Sequence, residues 1–74
     1  MPNVAKIAVS AATYAIDRPY DYLIPAELAE ALCPGMRVAI PFGRGNRVGD
    51  GIVLSLVDRE DTAKLKYVLA LLDE

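Results

Sequence analysis

Pro34-Gly35-Met36-Arg37-Val38-Ala39-Ile40-Pro41-Phe42-Gly43-Arg44-Gly45-Asn46-Arg47-Val48-Gly49-Asp50-Gly51-Ile52-Val53 is the stretch that decides the fold of this chain. Met36, Val38 and Ile40 alternate with Arg37, Ala39 and Pro41, so a period of two gives a strand with one wet face. Phe42 to Asn46 is rich in glycine and turns the chain. Arg47 to Val57 follows as the longest strand candidate. Gly49 and Gly51 inside it predict a bulge or tight bend, as small barrels need. The two strands make a hairpin, and a lone hairpin is marginal in water.

The rest of the sequence supplies partners. Val4 to Val9 alternates, with Ala5, Ile7 and Val9 on one face, and reads as a strand. Residues 10–19 are small and polar and read as a loop, and Tyr20 to Ile24 is a further strand. Pro25 opens a short helix, Ala26 to Leu32, in which Leu28 and Leu32 share a face at i, i+4. Cys33-Pro34-Gly35 stops it. Asp58 to Ala63 is a charged turn. Leu65 to Leu72 fits helix or strand by composition, and strand is preferred because a meander needs a closing partner. The expectation is one all-β domain over residues 1–74, a small antiparallel barrel or curled sheet of OB or SH3-like type carrying one short helix.

The bulk numbers set limits. A chain of 74 residues buries roughly 60% of its unfolded surface. It is 54% hydrophobic and 24% charged, too apolar for disorder. Its apolar runs, Ile52–Val57 and Val68–Leu72, are far shorter than the roughly 20 residues of a membrane span. The N-terminus shows no export signal, and the single Cys33 pairs with nothing inside the chain and reads as core filler. Both point to the cytoplasm. The net charge is −2, yet residues 31–49 hold Arg37, Arg44 and Arg47 and no acid. A local basic face on an acidic body suits a limited contact better than a long nucleic-acid footprint.

Catalytic chemistry is poorly supplied. There is no histidine to serve as general base, triad partner or metal ligand. Gly43-Arg44-Gly45-Asn46-Arg47-Val48-Gly49 lacks the Gly-Lys-Ser/Thr ending of a phosphate loop and joins two strands. Asp17 and Asp21 straddle a proline, so no helix pairs them. The chain reads as a non-enzyme with no metal or cofactor of its own.

Binding chemistry is better supplied. A free 3′-hydroxyl donates a hydrogen bond, whereas an internal O3′ carries an anionic phosphate. A fixed carboxylate therefore accepts from the terminus and disfavours a continuing strand. Asp21 stands between Tyr20 and Tyr22 on a strand, with its side chain opposite theirs. An aromatic ring stacks any base, a glycine such as Gly43 admits a sugar closely, and Lys66 offers a point charge to the last phosphate. Tyr22, Arg44 and Arg47 are secondary DNA-contact candidates. On composition alone the favoured reading of the same residues is that Asp21 caps a turn and the tyrosines pack in the core. Tyr14 and Tyr67 read as packing residues.

Tyr20-Asp21-Tyr22-Leu23-Ile24-Pro25, the Pro34–Gly43 run, Gly51-Ile52-Val53 and Leu65-Lys66 leading to Leu71-Leu72-Asp73 together resemble, in order, the 3′ DNA-binding domain of the PriA (primosomal protein N′) family of replication-restart helicases. The resemblance implies a barrel-like fold that binds the 3′-hydroxyl end of the nascent leading strand at a stalled fork. It would orient a 3′-to-5′ helicase for primosome assembly in the bacterial cytoplasm, at the nucleoid. The family's pocket residues fall on Tyr20 (where phenylalanine is common), Asp21, Gly43 and Lys66, with Lys64 two residues from Lys66 on the same strand face. The implied partners are single-stranded or forked DNA, the rest of the helicase in cis, other primosome proteins and single-strand-binding proteins. A membrane is not among them. ATP, magnesium and zinc belong to the helicase core and zinc-binding region, which the resemblance places outside this chain together with the C-terminal domain. Two other readings remain open from the residues: a protein-docking barrel without DNA affinity, and an SH3-like RNA-binding barrel, which the acidic balance disfavours.

Overall fold

The computed structural model describes residues 2–10, 19–43 and 45–72. The strands are β1 (Val4–Val9), β2 (Tyr20–Leu23), β3 (Arg37–Phe42), β4 (Arg47–Val57) and β5 (Ala70–Leu71). They form one five-stranded sheet in the order β2-β1-β4-β3-β5, antiparallel throughout. The sheet is curled and does not close into a barrel. Its two ends are tied by one isolated parallel bridge, Leu23 with Tyr67.

The alternation read in β1 and β3 is the alternation that packs. Ala5, Ile7 and Val9 of β1 meet Val38 and Ile40 of β3, Val53 of β4, Tyr22, Leu32 and Val68 in one buried cluster. The strand β4 runs over the expected residues, and the β3–β4 hairpin is in register from Arg37–Ile52 to Phe42–Arg47. Gly43 (φ 74°), Gly45 (φ 75°) and Asn46 (φ 51°) turn the chain in left-handed backbone, which glycine and asparagine tolerate.

Five expectations change. The β-bulge lies at Leu54 rather than at the glycines: Lys6 pairs with Ser55 and Ile7 with Val53, leaving Leu54 without a partner. Gly51 serves a different purpose, because a Cβ there would sit 2.5 Å from Ile7 Cγ2 and 2.7 Å from the Ala8 carbonyl oxygen. The helix shrinks to a 3-10 turn, Ala26–Leu28, with no side chain capping its start. Pro34 keeps Cys33 out of the helical region, and too few residues remain to nucleate an α-helix. Leu32 still lands in the core, its N–H donating to the Leu28 carbonyl at 3.0 Å.

Cys33 is exposed, since its neighbour Leu32 takes the inward position. The Leu65–Leu72 strand reduces to Ala70–Leu71 because the segment serves two edges in turn. Residues 66–68 bond to Leu23 of β2, and residues 69–72 bond to Ala39 and Arg37 of β3. Only Val68 of that segment is buried, and Tyr67, expected to pack, is 54% exposed. The expected loop over 10–19 and Tyr14 within it lie mostly outside the described residues. Among the described residues no helix is long and apolar enough to cross a membrane.

Candidate nucleic-acid interface

Where the two ends of the curled sheet fail to meet, they leave a groove of about 460 Å³. It is lined by Tyr20, Asp21 and Tyr22 from β2, Pro41, Phe42 and Gly43 from the end of β3, and Lys64, Leu65 and Lys66. Backbone direction explains the opening. The Ala39 and Arg37 carbonyls accept from Leu69 and Leu72, so those residues face β5, and by alternation Pro41 faces the same way. Proline has no N–H, so pairing along this edge stops there. The Pro41 carbonyl is taken instead by the buried Tyr22 hydroxyl, which donates to it at 2.8 Å.

The opposite rim follows the same logic. Leu23 both donates to Lys66 and accepts from Val68, so its backbone faces the 66–68 segment. Two residues back along β2, the N–H and C=O of Asp21 turn toward that same edge, into the groove. The ring of Tyr20 stands edge-on to Phe42 across the opening, with centroids 5.2 Å apart and planes at 89°. Gly43 presents open space, with nothing within 4 Å of where a Cβ would lie.

A family model for the 3′DNA-binding domain (3′BD) of PriA matches residues 6–74. The chain belongs to the PriA 3′BD family. It is 40% identical over 73 residues to the replication restart protein PriA of Bacillus subtilis (strain 168), covering 96% of this chain and 9% of that relative. The chain thus spans a small fraction of the curated relative it matches.

In this 3′BD domain the four residues singled out from the sequence, Tyr20, Asp21, Gly43 and Lys66, come to one groove from three separate chain segments. Lys64 joins them from a turn, not from a shared strand. Tyr22 forms the groove floor and is 5% exposed. Burial first, and Tyr20 beside it second, raise its hydroxyl above the usual 10.0. Arg47 is exposed at the start of β4 and does not line the groove, and Arg44 lies outside the described residues. Arg37 pairs with Asp50 at 3.5 Å, so the basic stretch is partly compensated within its own hairpin.

Four partners were not foreseen. The Asp21 carboxylate is held by Lys6, at 3.2 Å, and by the Arg59 guanidinium. Arg59 is itself clamped by Asn3, whose side chain accepts from the Arg59 N–H at 2.9 Å and donates to its carbonyl at 2.7 Å. Across the groove mouth, Lys66 Nζ donates to the Asn46 side-chain carbonyl. Lys6 was legible as the residue opposite Asp21 once β1 and β2 are paired, while Arg59 depends on a turn that no local pattern places.

Proposed function

We propose that the groove receives the terminal nucleotide at the 3′-hydroxyl end of a DNA strand. The supporting observation is that one groove, in a chain of the 3′BD family, gathers a ring, a backbone edge, a bare glycine and two lysines. Its volume falls in the roughly 300–1,000 Å³ range of sites that hold one small ligand, which suits a single nucleotide better than a long tract. Tyr20 offers a stacking surface indifferent to base identity. Asp21 turns its N–H and C=O toward the base edge or sugar. Its carboxylate keeps free lone pairs beyond those used by Lys6 and Arg59, so it still accepts from a terminal hydroxyl and disfavours a 3′-phosphate. Gly43 admits the sugar, and Lys66 with Lys64 neutralises the last phosphate.

In the cell, on this reading, the domain binds the nascent leading-strand end at a stalled fork. It orients the rest of a 3′-to-5′ restart helicase for primosome assembly in the bacterial cytoplasm, and catalysis lies outside these residues. The test is fluorescence anisotropy with short labelled single strands ending in a 3′-hydroxyl or a 3′-phosphate. The hydroxyl end binds more tightly, and that preference disappears in Asp21→Ala. Lys66→Ala, at an exposed side chain, weakens both ends alike. Equal wild-type affinity for the two ends, or none for either, sinks the proposal.

A further inference from the structure

Tyr67 is left without a purpose by the groove, and its surroundings supply one. It is 54% exposed and follows Lys66, which lines the groove. Its bridge with Leu23 puts the two side chains on the same face of the sheet, the face that also carries Asp21 two residues away along β2. On that face Lys6 and Arg59 surround Asp21, each side chain 37% exposed. That places two partly exposed cations around one carboxylate on this face. An exposed ring beside cationic side chains, one residue along the chain from a groove-lining lysine, is a combination that holds single-stranded nucleic acid.

We propose that Tyr67 is a second stacking platform, which takes the base of the nucleotide preceding the terminal one as the strand leaves the groove past Lys66. The proposal rests on the groove reading and adds a second subsite to it. Lys6 and Arg59 supply charge complementarity to the backbone of that nucleotide, and the ring makes the contact tolerant of sequence.

The experiment compares two 3′-hydroxyl tetranucleotides by anisotropy, one intact and one with an abasic residue at the position before the last. Wild-type chain binds the intact strand about fivefold more tightly, the low end for one base on an aromatic ring. Tyr67→Ala loses about that factor on the intact strand and becomes indifferent to the abasic substitution, while Tyr67→Phe behaves as wild type. Wild-type indifference to the abasic residue overturns the subsite and leaves the groove standing. An equal loss on both strands in Tyr67→Ala overturns it as well, assigning Tyr67 to the fold. If wild type binds neither strand, the groove reading falls too.

Discussion

Asp21→Ala removes one carboxylate and strands two cations, and the cost can be worked from their exposure. The Lys6 side chain is 37% exposed, so its pair with Asp21 carries only the about 0–1 kcal/mol of a surface ion pair. The Arg59 contact is stronger, because the Asp21 side chain is only 17% exposed and a hydrogen bond between charged groups is worth about 1.5–3 kcal/mol. Arg59 regains some hydration when freed, which keeps the total near 2 kcal/mol. A domain of this size has roughly 4–11 kcal/mol to lose, so the variant stays folded at 25 °C with a Tm lower by about 8–16 °C. Urea unfolding followed by circular dichroism measures this for Asp21→Ala, Arg59→Ala and the double variant. The two residues share one contact, so the double variant costs little more than Asp21→Ala alone. Anisotropy on the same samples reads the loss of 3′-hydroxyl binding while the variant is still folded. Additive single effects, or an Asp21→Ala cost under about 0.5 kcal/mol, would refute the reasoning, since the ion pairs would then not be holding the carboxylate.

Gly51→Ala forces a methyl against Ile7 and the Ala8 backbone, and because that carbonyl cannot swing aside the loss lies at the upper end of the about 1–3 kcal/mol of overpacking, read by thermal melts. Tyr22→Phe leaves the Pro41 carbonyl without its donor and costs about 1–3 kcal/mol in urea unfolding at neutral pH. The same tyrosine gives an alkaline signature. Its raised pKa means the folded chain keeps a proton that the unfolded chain releases near pH 10.0, so this stabilisation is whole below that pH and fades as pH rises through the folded value. Tyr22→Phe therefore loses less stability between neutral and strongly alkaline pH than wild type does. Two groove lysines imply a salt slope of about −1.4 for single-stranded DNA, falling to about −0.7 in Lys66→Ala, and a slope steeper than about −4 would indicate a long track instead of a terminus pocket.

Much of this was legible because alternation and burial are local. Val4–Val9 and Met36–Ile40 announce their inward faces by period, and the glycine turn between Phe42 and Arg47 fixes the register of β3 on β4. What the sequence hid is non-local. Residues 65–72 carry enough apolar character for a full strand, yet they divide between Leu23 on one edge and Ala39 on the other, a choice made only when the sheet curls. Arg59 reaches Asp21 because Asn3 captures its backbone from 56 residues away. The groove residues could be named from the resemblance to the 3′BD family. That the Asp21 backbone, and not only its carboxylate, faces the groove required the pairing of Leu23.

The site lies where it does because of what each rim withholds. On the β3 side, Pro41 has no donor to offer β5, so the ladder stops after Ala39, and the Pro41 carbonyl is bound to Tyr22. That rim carries Pro41 and Phe42, with the Tyr20 ring perpendicular to Phe42. On the β2 side, the pairing with residues 66–68 at Leu23 leaves the Asp21 amide and carbonyl facing the opening. One wall offers rings and the other offers a donor and an acceptor, with lysines at the mouth. A nucleotide has the same division, a flat ring with a polar edge and a phosphate beyond it. The strand pairing given up at Pro41 is what opens the groove in which the terminal nucleotide is proposed to bind.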